Sequence, residues 1–370
     1  MTKAAELAKM GEVLTNSQIG GRRNLMINGG MLVAQRGDMT GMSVGQYTTC
    51  DRFKVEMSSA GTWSTAQSTT TPDGFAKSLK LDCTTADGSL SAGDYILVSH
   101  YFEGQNLQHL KKGTSGAEKL TLSFHVRSNK TGTYIVEFYD ADNSRSISKS
   151  YTISSANTFE KKTITIDGDT SGAFDNDASG SLGIFFYLGA GSNFTSGTLN
   201  TSWGSRTLAN VAVGQVNLAD STDNEILITG VQLEVGSQAT PFEHRQYGEE
   251  LNLAKRYFER MFRGGNAPNG TEISIVSSGV WYGAGHVLAD FRYSPKRASP
   301  TISISETGVI GFYGNNYFRT SSDSSPFDMI TSGAARVNIN SWNANGTAGD
   351  GAFGILVNDN VSNVSIDAEL

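Results

Sequence analysis

Apolar residues alternate with polar ones along most of this chain, and the alternation changes period only once in a sustained way. From 24 to 235 the period is two: Phe53, Val55 and Met57; Ile96, Val98, His100 and Phe102; Leu120, Leu122, Phe124 and Val126; Tyr134, Val136 and Phe138; Ile164 and Ile166; Leu182, Ile184, Phe186 and Leu188. Such runs predict strands with one apolar face. About ten strands in roughly 210 residues fit a jelly-roll-like β-sandwich. Two further short strands are expected at Ile226 and Ile228 and at Val231, Leu233 and Val235, ended by Gly236 and Pro241. The polar spans 58–76 and 189–210, which contain Trp63 and Trp203, read as loops or peripheral hairpins.

At Tyr247 the period lengthens. Leu251, Ala254, Phe258 and Met261 are spaced three, four and three apart, which lays one apolar stripe on a helix over 247–262. Lys255 and Glu259 are placed to pair on its polar side. The stripe is a candidate oligomer interface, with three copies forming a short bundle; a lid over its own sheet is the alternative. After the turn-rich 263–270, period two returns at Ile273 and Ile275, Val287–Phe291, Ile302 and Ile304, Val337 and Ile339, Ile355 and Val357, and Val364 and Ile366. The expected architecture is therefore mainly β: an N-terminal arm (1–23), a jelly-roll-like sandwich (24–246), a connecting amphipathic helix (247–262) and a smaller C-terminal β domain (263–370).

Composition narrows the function classes. A net charge of −7 argues against a general nucleic-acid binder. No apolar run is long enough for a spanning helix, and the N-terminus lacks the unbroken apolar core of a secretory signal. Cys50 and Cys83 are the only cysteines; free thiols made in a reducing cytoplasm are the preferred expectation over a Cys50–Cys83 bridge. No phosphate loop, zinc-protease helix or serine elbow is present, and the five histidines are scattered, so no catalytic set is assigned and the chain reads as a non-enzyme. No cofactor and no metal set is assigned. The run DGDTSGAFDND brings Asp167, Asp169, Asp175 and Asp177 close together and leaves a bound calcium open, although the EF-hand order is missing.

Aromatic residues in glycine-rich surroundings are the better lead. Trp281 and Tyr282 lie in SSGVWYGAGH, Tyr313 and Tyr317 in GFYGNNYFRT, and Trp342 in INSWNANGTAGDG. Sugars stack their C–H faces on such rings, so these five are the candidate glycan-binding residues; core packing is the competing role.

Three segments carry a resemblance: NSQIGGRRNLMINGGMLVAQRG (16–37) followed by YTTCDRFKVE (47–56), ITGVQLEVGSQATPFEHRQYGEELNLAKRYFER (228–260), and VSIDAEL (364–370). Together they resemble bacteriophage tail-fibre and related virion appendage proteins of the marine and cyanobacterial phage type, and the first region also resembles carbohydrate-binding-module sandwiches. The resemblance implies a virion structural protein made in the host cytoplasm. It would be a homotrimer fixed to the phage tail or an adaptor by its N-terminal arm, touching host-surface polysaccharide with its β domains. A capsid decoration protein or tail adaptor is the alternative, and a polysaccharide depolymerase a third reading. Asn24, Asn28 and Gly29 match the family's strand-opening turn; Gln232, Glu234, Pro241, Phe242 and Glu243 match its closing strand and exit. No heptad or collagen-like shaft is present, which implies a compact appendage or a short fibre rather than a long shaft.

Overall fold

The structure, a computed structural model, describes residue 3 and residues 23–262, 272–283, 286–304, 310–314, 317–320, 327–339, 351–358 and 363–370. The protein is mainly β, with antiparallel sheets and a short helix. It divides into two compact units, Met1–Leu251 and Asn252–Leu370. Among the described residues no helix is long and apolar enough to cross a membrane.

In the first unit the strands are β1 (Met39–Met42), β2 (Gln46–Tyr47), β3 (Lys54–Ser58), β4 (Thr62–Ser68), β5 (Ser78–Thr85), β6 (Tyr95–Glu103) and β7 (Leu120–Ser128). They continue as β8 (Gly132–Asp140), β9 (Arg145–Ile153), β10 (Glu160–Ile166), β11 (Gly180–Ala190), β12 (Gly204–Ser205) and β13 (Glu225–Val235). One sheet has six strands in the order β1-β4-β5-β13-β7-β10; the other has seven, β12-β9-β8-β11-β6-β3-β2. The alternating apolar residues of both sheets meet in one core that includes Trp63, Leu122, Phe124, Val136, Phe138, Ile184 and Leu233. That is the sandwich the alternation predicts.

Two details differ from the expected pattern. Residues 62–68 form a ladder strand instead of a loop, with Trp63 fully buried and its indole donating to Ala60 O at 2.8 Å. Its outward neighbours Ser64 and Ala66 are small, so the strand's apolar signal rests on one residue. The two short strands expected around 226–235 are one strand, β13. Its register slips between Thr229 and Gln232, where Gly230 takes φ +61°. This bulge switches the inward parity from Ile226 and Ile228 to Val231 and Leu233, which is why the sequence shows two runs out of phase.

The segments that carry the family resemblance close this sandwich. The Asn24 side chain accepts the N–H groups of Met26 and Leu233 and donates to Val231 O, at 3.0–3.1 Å. Asn28, at φ 61°, accepts from Val33 N and donates to Val33 O and Asp51 O; asparagine tolerates that left-handed backbone. A Cβ on Gly29 would lie 2.0 Å from Val231 O, so only glycine fits there. On the exit side, Glu234 accepts from Thr240 N and Thr240 Oγ1, Gln232 from Glu243 N, and Glu243 from Asn24 N. Start and end of the unit are tied by side chain to backbone.

In the second unit β14 (Phe258–Phe262), β17 (Thr301–Ile304) and β23 (Asn363–Asp367) form a three-stranded sheet in the order β14-β23-β17. A seven-stranded sheet is built from β15 (Glu272–Gly283), β16 (His286–Arg292), β18 (Ile310–Gly314), β19 (Tyr317–Thr320), β20 (Phe327–Asp328), β21 (Ala334–Ile339) and β22 (Gly351–Asn358), ordered β19-β18-β22-β15-β16-β21-β20.

The helix expected over 247–262 is corrected. It spans only Tyr247–Lys255, and Phe258 and Met261 lie on β14, paired with β23. Carbonyls that a longer helix would use are taken by others: Lys255 O accepts Lys296 Nζ, Arg256 O accepts Arg297 N, and Tyr257 O accepts Ala368 N. The bulky aromatics Tyr257, Phe258 and Phe262 also suit a strand better than a helix. Leu251, Ala254, Phe258 and Met261 therefore share no helix face, and Ala254 and Phe258 are buried within the chain itself. The Lys255–Glu259 ion pair forms all the same, at 3.3 Å.

Candidate functional site

The five aromatic candidates of the C-terminal half fall as follows. Trp281 and Tyr282 are successive residues of β15, where the register against β16 shifts between Trp281 and Gly283. Tyr313 pairs with Phe318 and Tyr317 with Gly314 in the β18–β19 hairpin. Trp342 lies outside the described residues.

A platform forms in the first unit, on the outward face of the seven-stranded sheet. Cross-strand register sets Tyr101 opposite Gly183 and Gly183 opposite Tyr139. The neighbouring row runs Tyr47, Lys54, Ser99, Phe185 and Glu137 across β2, β3, β6, β11 and β8. A Cβ on Gly183 would sit 2.7 Å from the Phe185 ring and 3.0 Å from Tyr101, so the glycine lets both rings lie over the strand. Phe185 then packs 5.4 Å from Tyr101 and 5.8 Å from Tyr139, centroid to centroid. One end of the face is roofed, where Leu97, Ile135 and Tyr187 bury against Val211 and Ala212 with Phe194 and Leu199 packed on them. Phe185 is buried in this same cluster, and Tyr101 and Tyr139 pack against it while remaining half-buried, as Tyr47 does.

Charge is arranged around the rings. The Arg206 guanidinium lies 4.4 Å over Tyr139 and grips Glu137 with two hydrogen bonds of 2.7 and 2.9 Å. Glu137 is fully buried and also accepts the Tyr187 hydroxyl at 3.0 Å. Burial alone would lower the Arg206 pKa, but the Glu137 hydrogen bonds and charge raise it; burial first and then Glu137 push Tyr187 well above its ordinary value. Arg36 and Lys54 lie 5.0 and 5.8 Å from the Tyr47 ring centre. Glu56 accepts the Ser99 hydroxyl. The Tyr101 hydroxyl is pushed up by burial and by Glu56, and among the described residues neither it nor the Tyr139 hydroxyl has a hydrogen-bond partner. Aromatic faces with free hydroxyls and a fixed guanidinium suit a ligand with an apolar face and a polar edge.

The acidic run takes another role. Asp169 is held by Arg145 at 2.7 and 2.9 Å and by Lys112 at 3.2 Å, and Asp167 by Lys119 at 2.7 Å. Lys112 Nζ also reaches Asp140 at 2.5 Å and the carbonyls of Ser171 and Gly172. Those oxygens surround a side-chain ammonium, and among the described residues no group of three His, Cys, Asp or Glu gathers as a cation site. Cys50 and Cys83 are free and buried. His100 sits in the core between Phe53 and Phe102, with neither ring nitrogen hydrogen-bonded.

No protein-family model and no curated protein matches this sequence. Solved structures resemble it at low identity. The enzymatically active domain of bacteriophage CBA120 tailspike protein 4 is 15% identical with TM-score 0.29, over 57% of this chain and 21% of that one. TmCBM61, solved in complex with β-1,4-galactotriose, is 10% identical with TM-score 0.29, over 58% of this chain and 100% of that one. The family 11 carbohydrate-binding module of a Clostridium thermocellum cellulosomal cellulase is 8% identical with TM-score 0.27, over 55% and 98%. The chain thus spans about a fifth of the tailspike structure. Likeness at this level leaves the site to be judged on its own geometry.

Sequence reasoning passed over Tyr47, Tyr101 and Tyr139 because each sits at an outward position of an otherwise ordinary strand. Gly183, between the inward Leu182 and Ile184, was the one local hint that something lies across that face.

Proposed function

We propose that this chain is a non-catalytic glycan-binding protein that takes an oligosaccharide on the tyrosine-lined face of its first β-sandwich. In this reading it serves as a compact phage tail fibre. The observation that carries the glycan part is the half-buried pair Tyr101 and Tyr139, set on either side of the buried Phe185 and beside the Arg206 guanidinium, with neither tyrosine hydroxyl hydrogen-bonded among the described residues. A sugar's C–H face covers the exposed parts of the two tyrosine rings while its hydroxyls meet the tyrosine oxygens and the rim charges. The fibre part rests on the sequence resemblance, and attachment through residues 1–23 and a homotrimer belong to the same proposal. Weak sites repeated over several copies then give adhesion by avidity.

One experiment addresses both parts: purified protein is tested for binding to host-surface polysaccharide and for competition with adsorption of the particle that carries it. The wild type is expected to bind and to compete. A Tyr101→Ala/Tyr139→Ala protein of unchanged circular dichroism is expected to lose about tenfold or more in affinity, roughly 1.4 kcal/mol or more. Full binding by the double variant would remove this face as the site, and polysaccharide binding without competition would remove the fibre reading.

A further inference from the structure

We infer that a cleft on the other side of the same sandwich is a second binding site, shaped for a single neutral sugar ring. Its volume is about 190 Å³, and its walls are Gly30, Leu32, Phe75, Ala76, Phe242 and His244. Arg245 and Glu250 complete the lining.

The bulge in β13 builds it. A Cβ on Gly230 would lie 2.6 Å from the Phe75 ring, so the glycine lets Phe75 rest on the six-stranded sheet, where it also packs 5.1 Å from His125 of β7. The exit segment then lays Phe242 5.1 Å and His244 5.4 Å from Phe75, with 4.9 Å between the two. Three rings thus meet beside a gap that Gly30, Gly74 and Ala76 leave open, with Leu32, Arg245 and Glu250 completing its wall.

Size, polarity and charge choose the occupant. The volume somewhat exceeds the ~150 Å³ of a cavity that admits benzene and falls short of the ~300 Å³ at which drug-sized pockets begin, so one six-membered ring fits. A purely aromatic ring would leave the lining's polar groups unmet, at a cost. Among the described residues, neither nitrogen of the exposed His244 ring has a hydrogen-bond partner. Arg245 spends its Nη atoms on Asn24 O, Met26 O, Glu243 and Glu250, and its buried Nε has no partner. A sugar supplies both an apolar face and hydroxyls. Glu243 and Glu250 already pair the lining's one guanidinium, Arg245, so an acidic sugar finds that cation taken and is disfavoured. The site is separate from the tyrosine face, which belongs to the seven-stranded sheet. The choice of a sugar over other ring-sized ligands rests on the glycan reading above, whereas the cleft does not.

The test is calorimetric titration of the full chain with methyl β-D-glucopyranoside, methyl β-D-galactopyranoside, N-acetylglucosamine and glucuronate. At least one neutral sugar is expected to bind one per chain, with glucuronate about tenfold or more weaker. Ala76→Phe fills the cleft from an exposed position and is expected to weaken the neutral sugar about tenfold or more, as is Phe242→Ala. Tyr101→Ala/Tyr139→Ala is expected to keep monosaccharide binding while losing polysaccharide binding, so failure of one site is distinguishable from failure of the other. The inference falls if no neutral sugar binds, if glucuronate binds equally well, if Ala76→Phe binds like wild type, or if the tyrosine variant loses the monosaccharide.

Discussion

The outer faces of the two sheets of the first sandwich differ in how they satisfy themselves. On the six-stranded sheet the outward charges are paired along the ladder. Lys80 meets Glu225 at 2.8 Å, Glu225 meets Arg127 at 2.5 Å, and Arg127 donates on to the Asn157 carbonyl and side chain. These groups are part-exposed and hold one another. On the seven-stranded sheet Tyr101, Tyr139 and Phe185 hold outward positions, and the Arg206–Glu137 ion pair sits among them with the guanidinium over the Tyr139 ring. Outward alternation is the same in both cases; what differs is whether the side chains complete each other. The Lys80–Glu225–Arg127 ladder is filled by its own cross-strand partners, and on that sheet the cleft beside Phe75 is left open, whereas the aromatic face leaves tyrosine ring edges and two hydroxyls for a ligand.

Arg206→Met tests the buried half of this contrast most severely. The substitution keeps a long side chain over Tyr139 but strands the fully buried Glu137 carboxylate, leaving it the Tyr187 hydroxyl. Removing one partner of a buried pair costs about 3–5 kcal/mol, and the part-exposure of Arg206 sets the expectation at about 3 kcal/mol. Urea unfolding reads it as a lower midpoint at unchanged slope. A loss under about 1 kcal/mol would mean the pair behaves as a surface one and the contrast dissolves.

Acid separates the core from the charged face by pH. Burial, and then Arg52, holds the His100 pKa well below 6.5, and burial likewise lowers His109 and His125. Below pH 6.5 the unfolded chain binds protons that the folded chain does not, so stability falls as pH drops from there. Each such group contributes at most about 1.4 kcal/mol per pH unit. Glu225 acts later. Burial alone would raise its pKa, but Lys80 and Arg127 bring it below 4.5, so its contribution is present above 4.5 and is lost as pH falls through its folded value. Urea midpoints of wild type and His100→Phe between pH 7 and 5 are expected to diverge, with the shallower decline in the variant. Parallel declines would show that His100 titrates as freely folded as unfolded.

Much of the sandwich was legible because period two is a local property. Leu120 to Val126 and Ile96 to Phe102 read as strands, and strands they are. The β4 strand was not legible, since Trp63 alone carries its apolar signal. The end of the helix was missed for a different reason: Leu251, Ala254, Phe258 and Met261 satisfy a helical period, and the competing ladder comes from residues 363–367, a hundred positions away. The tyrosine platform depends on the same kind of distant pairing. Tyr101 and Tyr139 become neighbours only because β11 inserts Gly183 between them, and no window of sequence contains that order. The closing turn was legible as a motif, yet its work, tying Asn24 and Gly29 to β13, needed coordinates.

The smallest expected effect lies on the charged face. Lys80→Ala removes one arm of the Lys80–Glu225–Arg127 chain, but the Glu225 carboxylate keeps Arg127 and is not stranded. Lys80 is 30% exposed, so its ammonium returns to water readily on unfolding and gains little on folding. About 0.5 kcal/mol is expected from the urea midpoint. Polysaccharide affinity should match wild type, because no ring of the tyrosine platform touches this sheet's outer face. If Lys80→Ala weakened polysaccharide binding as much as Tyr101→Ala/Tyr139→Ala, the charged ladder would have to be part of the site, and the division of labour between the two faces would be wrong.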